Sequence, residues 1–302
     1  MKSFRSRILV LIIGVIVLVQ AATVTALLLQ TSRDGDARAT DDLRSIASVV
    51  VQALDARGSR LASATQFLAS DSGLRAAIAS QDRPAMRAAL ADHGARSNAG
   101  LGLLLSLDGQ VIASSGRVLS ARGTALVTEL MRNAGARGGT LTYAVVDGRG
   151  YQLALAAVPT PATSTWLGMG LELDATLAGD LKRRFHIDVS FGTPRTLPDA
   201  PIATTIANAP PGDLERQLLR LNAAREPTRV RVGAADYLAL GIPLAAPAGS
   251  PTLVLERSLY DVQAGYRQAR APLILISAIA ILLAIVVGFV FAGSVTRPVT
   301  RL

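Results

Sequence analysis

There is no cysteine among the 302 residues, which excludes disulfides, thiol catalysis, zinc-thiolate sites and iron-sulfur clusters. A chain of this size buries enough core to stand without cross-links. Histidine is almost as scarce: only His93 and His186 occur, and neither begins a metal-ligand spacing, so neither a metal nor a cofactor is expected. No G-x-S-x-G nucleophile elbow and no G-x-x-x-x-G-K phosphate loop is present. Asp108 and Asp147 each precede a glycine, where the local hydrogen bonding of a turn accounts for the side chain. No catalytic residue is therefore expected, and the chain is read as not an enzyme.

Charge is also sparse. Only 18% of residues are charged while 50% are apolar, too hydrophobic for a disordered chain. The apolar excess is concentrated in two uncharged stretches, residues 8–29 (ILVLIIGVIVLVQAATVTALLL) and 272–293 (PLILISAIAILLAIVVGFVFAG). About 20 apolar residues cross a bilayer core of about 30 Å, so both are expected to be transmembrane helices. The first exceeds the apolar core of about 7–15 residues that marks a cleaved secretory signal. Lys2, Arg5 and Arg7 precede it, and Arg297 and Arg301 follow the second; by the positive-inside rule both termini are cytoplasmic and residues 30–271 lie outside.

All 22 acidic residues and all but five of the 31 basic ones fall in that outer segment, which carries +4 of the chain's +9. The high isoelectric point is thus partly topological, and no nucleic-acid partner is expected. Lys182–Arg184 (KRR) reads as the solvated end of a helix.

Within the outer segment, Leu43, Ile46, Val50, Leu54, Leu61, Ala64 and Leu68 recur at spacings of three, four and seven, the face of a long helix over residues 30–70. Gly58 is its weak point. At about 1.5 Å per residue such a helix reaches on the order of 60 Å, a stalk whose apolar stripe needs cover from its own domain, from a second copy, or from both. A parallel homodimer through the stalk is expected. Asp82 as N-cap, Pro84 in the first turn and Gly94 beyond the end predict a second helix from Pro84 to His93.

The period then shortens. Strands are predicted at Leu101–Leu107, Gln110–Ser114, Thr140–Val146, Tyr151–Val158 and Thr165–Leu173, with a helix near Ser120–Asn133 and a type I′ turn at Asp108-Gly109. Five strands with helices on one side and hairpin connections make an antiparallel α+β module over residues 71–173. A reduced version follows over residues 174–258: a connecting helix at Asp174–Phe185, then strands at Ile187–Phe191, Ile202–Ala207, Thr228–Val232, Asp236–Leu244 and Thr252–Ser258, with a helix at Asp213–Arg225. Residues 259–271 read as a juxtamembrane helix.

On this layout, and on ALADHGARSNAGLGLLLSLDGQVIASS (Ala89–Ser115) and WLGMGLELDATLAGDLKRRFHIDVSF (Trp166–Phe191), the chain resembles the double CACHE sensor region of bacterial transmembrane receptors, notably those that carry cyclic di-GMP synthase and phosphodiesterase domains. The resemblance implies two tandem PAS-like antiparallel-sheet modules, distal and proximal, on the stalk helix and flanked by two transmembrane helices of the inner membrane. It implies a small-molecule ligand in the distal module, for which Arg96, Tyr143, Tyr151 and Trp166 are the candidate residues. The amino-acid-binding pattern of some family members (Tyr, Arg, Trp-Tyr, Asp) is not found, so an apolar pocket or none stays open.

The terminal VTRPVTRL, residues 295–302, resembles the first turn of a HAMP linker, with Pro298 starting a new helix and Leu302 four positions on. Cytoplasmic residues 1–7 and 294–302 would then bracket the membrane unit, with an output domain beyond. Gly265, Pro298 and Leu302 are the expected signal-relay positions. The rival is a ligand-free dimerisation and anchoring scaffold for a cytoplasmic enzyme.

Overall fold

A computed structural model describes residues 4–134, 139–159, 165–192, 203–207, 209–210, 221, 226–244, 251–260, 275–283 and 285–286; before residue 37 of the first helix, side chains are described only at 14, 15, 18–20, 22, 23 and 25. The chain divides into two compact units, Met1–Asp41 with Leu259–Leu302, and Asp42–Ser258.

Helix α1 is continuous from Phe4 to Ala69, 66 residues. In the larger unit its stripe is covered by the chain itself: Leu43, Val50, Leu54, Leu61 and Leu68 are all buried. A dimer through α1 would therefore have to use other residues, such as the exposed Val49 and Phe67. The uncharged residues 8–29 lie inside α1, and residues 275–283 of the second stretch are helical. Among the described residues no helix is long and apolar enough to cross a membrane, and much of both stretches lies outside those whose side chains are described.

Two short helices follow. Helix α2 (Ser72–Ala79) is capped by Asp71, whose carboxylate accepts the Leu74 N–H at 2.8 Å. Helix α3 (Arg83–Ser97) begins on Asp82, which accepts from Ala85 N at 3.0 Å, with proline in the first turn. It does not stop at His93. The left-handed residue is Asn98 (φ 54°), and Ala99 N donates to Gly94 O at 2.8 Å, so asparagine, which tolerates that region, ends the helix and Gly94 stays within it.

The first sheet comprises β1 (Leu101–Ser106), β2 (Val111–Gly116), β3 (Gly139–Val146), β4 (Arg149–Val158) and β5 (Thr165–Glu172), all antiparallel, in the order β2-β1-β5-β4-β3. Helix α4 (Ala121–Ala134) lies between β2 and β3 in sequence. Contrary to the one-sided arrangement expected from sequence, helices cover both faces. Leu104, Ala154, Ala156, Leu167 and Met169 pack with residues of α1, α2 and α3; Leu101, Leu103, Tyr151, Leu153 and Trp166 pack with Val127, Leu130 and Met131 of α4. Residues of both parities in β4 and β5 are apolar because both faces are buried.

The turns also exchange roles. At Asp108-Gly109 only the glycine has positive φ (86°); Gly109 N donates to Ser106 O, Ser106 N to Gln110 O, and the register shifts between Leu104 and Leu105. That is a type I turn closed by a left-handed glycine bulge, not type I′. The two-residue loop with two positive φ values is Asp147-Gly148 (49° and 75°), where Val146 pairs with Arg149.

Asp147 has a second task. Its carboxylate accepts the Ser120 N–H at 2.7 Å and the Ser120 hydroxyl, at the start of α4. The Ser120 hydroxyl first, and its N–H next, hold the carboxyl below its usual range. A depressed folded pKa adds stability that is complete above the unfolded value of about 4 and lost as pH falls through the folded one. Asp147→Asn keeps a residue that accepts positive φ and is expected to lower stability by about 0.5–1 kcal/mol at pH 7. In chemical denaturation the difference should vanish at acid pH; a pH-independent difference would refute the charge-assisted cap.

After α5 (Ala175–Phe185), capped by Asp174 and ended by left-handed His186, the second sheet repeats the first. Strands β6 (Asp188–Gly192), β7 (Ala203–Thr204), β8 (Thr228–Val232), β9 (Ala235–Pro243) and β10 (Thr252–Ser258) run β7-β6-β10-β9-β8. Of the expected strand Ile202–Ala207, residue 202 lies outside the described residues; beyond Thr204, side chains join the backbone: Thr205 N donates to Val189 O at 3.0 Å, the Thr205 hydroxyl accepts the Val189 N–H at 2.8 Å and donates to Asp188, and Thr204 Oγ1 accepts the Ile206 N–H. The helix expected at Asp213–Arg225 lies outside the described residues except for Leu221, which is helical and buried.

Candidate functional site

The first module offers two faces for a ligand. On the α4 side the described side chains pack closely. Tyr151 and Trp166 are 1% and 6% exposed, and Gly168 and Gly170 of β5 admit Leu155, Leu153 and Leu101 so closely that an added Cβ would stand 3.0–3.1 Å from them. The described residues of this face behave as core; burial first and Glu172 next raise the pKa of the Tyr151 hydroxyl.

The α1 side is polar at its edge. Gln152, fully buried on β4, donates from Nε2 to Leu54 O of α1 and to the Tyr143 hydroxyl of β3, both at 2.9 Å. Burial first, then Asp55, pushes the Tyr143 hydroxyl up to about 12. Gly58 sits directly over this pair: a Cβ there would stand 2.2 Å from Gln152 Nε2 and 2.7 Å from Leu141. The one glycine in the stalk stripe thus marks where helix and sheet approach closest.

One helical position before Gly58, Arg57 donates from Nη2 to Glu172 O at 3.3 Å, while its Nη1 is enclosed without a partner. Desolvation lowers its pKa, opposed by Asp174. Two open clefts meet at this residue. One, of about 360 Å³, is walled by Asn98, Gly100, Glu172, Asp174 and Asp180; the other, of about 390 Å³, by Arg60, Leu61, Arg96, Asn98 and Leu171.

The candidates named from sequence are therefore spread out. Arg96 is on the surface of α3, paired with Asp92 at 2.7 Å, and lines the second cleft. Tyr143 belongs to the Gln152 network behind it. Tyr151 and Trp166 lie on the opposite face of the sheet, within core. Arg57 and Arg60 were not singled out, since nothing in their helix context separates them from solvated charges; only the approach of α3, some forty positions on, gives them meaning. His93 is accounted for structurally: Nε2 is 2.9 Å from Ala64 O and the ring stacks on Phe67. Among the described residues no group of His, Asp or Glu is placed to hold a metal. Gly265, Pro298 and Leu302 lie outside the described residues.

Two antiparallel sheets of identical strand order and a long N-terminal helix make an α+β fold consistent with a double CACHE domain. The family described as the double sensory domain of two-component sensor kinase (dCache_3) matches residues 36–256, and the chain belongs to it. No curated protein matches the sequence significantly. Among solved structures it is similar to the periplasmic domain of Vibrio cholerae LuxQ (12% identity, 72% of this chain and 97% of that one, TM-score 0.45). It is also similar to the V. cholerae histidine kinase DctB sensor domain (14%, 78% and 98%, 0.45) and to the ligand-binding domain of the Pseudomonas fluorescens chemoreceptor CtaA in complex with L-isoleucine (13%, 77% and 96%, 0.48).

Proposed function

We propose that the chain is the extracytoplasmic sensing and transmembrane signalling region of a bacterial inner-membrane receptor. Residues 30–271 lie in the periplasm and receive a small molecule, and both termini are cytoplasmic. The observation that carries this reading is the single uninterrupted helix from Phe4 to Ala69, which joins the uncharged residues 8–29 to a sensory module without a break. Large apolar side chains within both uncharged stretches are exposed, Leu18 and Val19 in the first and Leu275, Ile276, Ile279 and Leu282 in the second, as lipid contact requires and water does not favour. Signal leaves through β10, residues 259–271 and the second span, with Gly265, Pro298 and Leu302 as relay positions toward a HAMP linker and an output domain such as a cyclic di-GMP enzyme. A parallel homodimer fits spans fixed in one membrane direction.

Reporter fusions test the topology. Alkaline phosphatase is expected to be active when fused at Gly150 and inactive at Leu302; the reverse pattern refutes it. The close packing of the described residues on the α4 face of the first module favours a second reading, a ligand-free dimerisation and anchoring scaffold. One-residue insertions at Gly265, which turn a helix by about 100°, separate the two readings in a receptor carrying its output domain. A sensor responds to them and tolerates a four-residue insertion better, whereas a scaffold ignores both.

A further inference from the structure

We propose that the cleft between α1 and the end of α3 binds a small, multiply charged organic anion, carrying carboxylate or phosphate groups on a short carbon skeleton. The inference deepens the sensory reading and rests on it. Arg57, Arg60 and Arg96 converge on this cleft and no acidic side chain lines it. Like charges brought together repel; Asp174 beside Arg57 and Asp92 beside Arg96 offset that repulsion from outside the cleft, and an oxyanion within it would relieve the rest.

None of the three guanidiniums is fully used. Arg57 has one bonded nitrogen and one enclosed nitrogen without a partner, and Arg60 makes no side-chain hydrogen bond or ion pair among the described residues. Arg96 holds Asp92, but both side chains are 67% exposed, and an ion pair in that setting is readily exchanged for a better one. The planar guanidinium fork is the side chain best matched to carboxylate and phosphate oxygens. Asn98 supplies an amide at the rim, while buried Leu61 and Leu171 line the wall. That apolar wall favours a carbon skeleton over a bare inorganic ion. The carbonyls of Gly94 and Ala95 at the end of α3 are already bonded to Ala99 and Asn98 N–H groups, which blunts the negative end of the helix facing the cleft.

The site is on the opposite side of the sheet from α4, and two of its arginines belong to α1. An anion held there ties α1 to α3 directly.

The test is calorimetric titration of the full chain in detergent with citrate and with inorganic phosphate at constant ionic strength. Citrate is expected to bind saturably; Arg60→Gln and Arg96→Gln should each weaken it about tenfold, as loss of a charge-assisted bond does, without lowering the unliganded melting temperature. Arg60→Lys should recover part of the loss. Saturable phosphate binding without citrate binding would overturn the carbon skeleton. Binding of both that ignores the arginine substitutions, or neither binding to a cooperatively melting chain, would overturn the cleft. A neutral metabolite that raises the melting temperature of wild type and both variants alike would overturn the cleft while supporting the sensory reading.

Discussion

Tyr151→Ala is expected to cost the first module about 3–5 kcal/mol, the range for removing a large buried ring, and to lower the melting temperature by about 10 °C at about 2–4 °C per kcal/mol for a unit of this size. The ring is 1% exposed, near the start of β4, packed with the leucines of β1 and with Val127, Leu130 and Met131 of α4. With β1, β5 and α4 holding one another in place, the site cannot collapse around the loss. Tyr151→Phe keeps the ring and removes a hydroxyl that makes no hydrogen bond among the described residues, and should fall within about 0.5 kcal/mol of wild type. Thermal and urea melts of the two variants measure this. Should the alanine variant melt like wild type and lose only ligand binding, Tyr151 would be a ligand contact and the core assignment would be wrong.

The second large effect concerns Glu256, 1% exposed on β10, the central strand of the second sheet. Its cross-strand neighbours are Asp188 on β6 and Ala239 on β9, and its Oε2 has no hydrogen-bond partner. Desolvation raises its pKa well above the usual carboxylate value, Asp188 adds to the rise, and a bond with Ser190 opposes it. Ser190 is itself paired with Thr204 at 2.8 Å. A raised folded pKa gives stability that is fully present below the unfolded value, about 4.3 for Glu, and lost as pH rises through the folded one. Glu256→Gln removes the titration and keeps the shape. It is therefore expected to be more stable than wild type at pH 8, by about 1–3 kcal/mol if the unpartnered oxygen carries its usual cost, with the advantage shrinking toward pH 4.5. Denaturant midpoints across that range test it; an equal loss at every pH would show that the carboxyl is satisfied as it stands.

What the sequence revealed followed from periodicity. The stripe from Leu43 to Leu68 and the hairpin strands were legible because one residue class recurs at one spacing. Helix α2 was missed, although Asp71 followed by Leu74 and Ile78 carries a cap and an i, i+4 pair, because eight residues are too few for a period to stand out. The two-sided cover of the first sheet was written in β4, where beyond Gln152 the large Leu153 and Leu155 alternate with the small Ala154 and Ala156 so that both parities are apolar; hairpin connections alone suggested helices on one side. The arginine cleft was not legible. It exists only where residues 57, 60 and 96 are folded together, and three arginines in a chain rich in them carry no local mark.

The shared strand order has a mechanical consequence. In both sheets the last strand in sequence occupies the middle, flanked on both sides by hydrogen-bonded neighbours. A load carried along β10 is therefore borne by β6 and β9 together, so that its bonds shear as a group. An edge strand would bear the same load on one neighbour alone. A central one shares its load with both neighbours and so with the whole sheet.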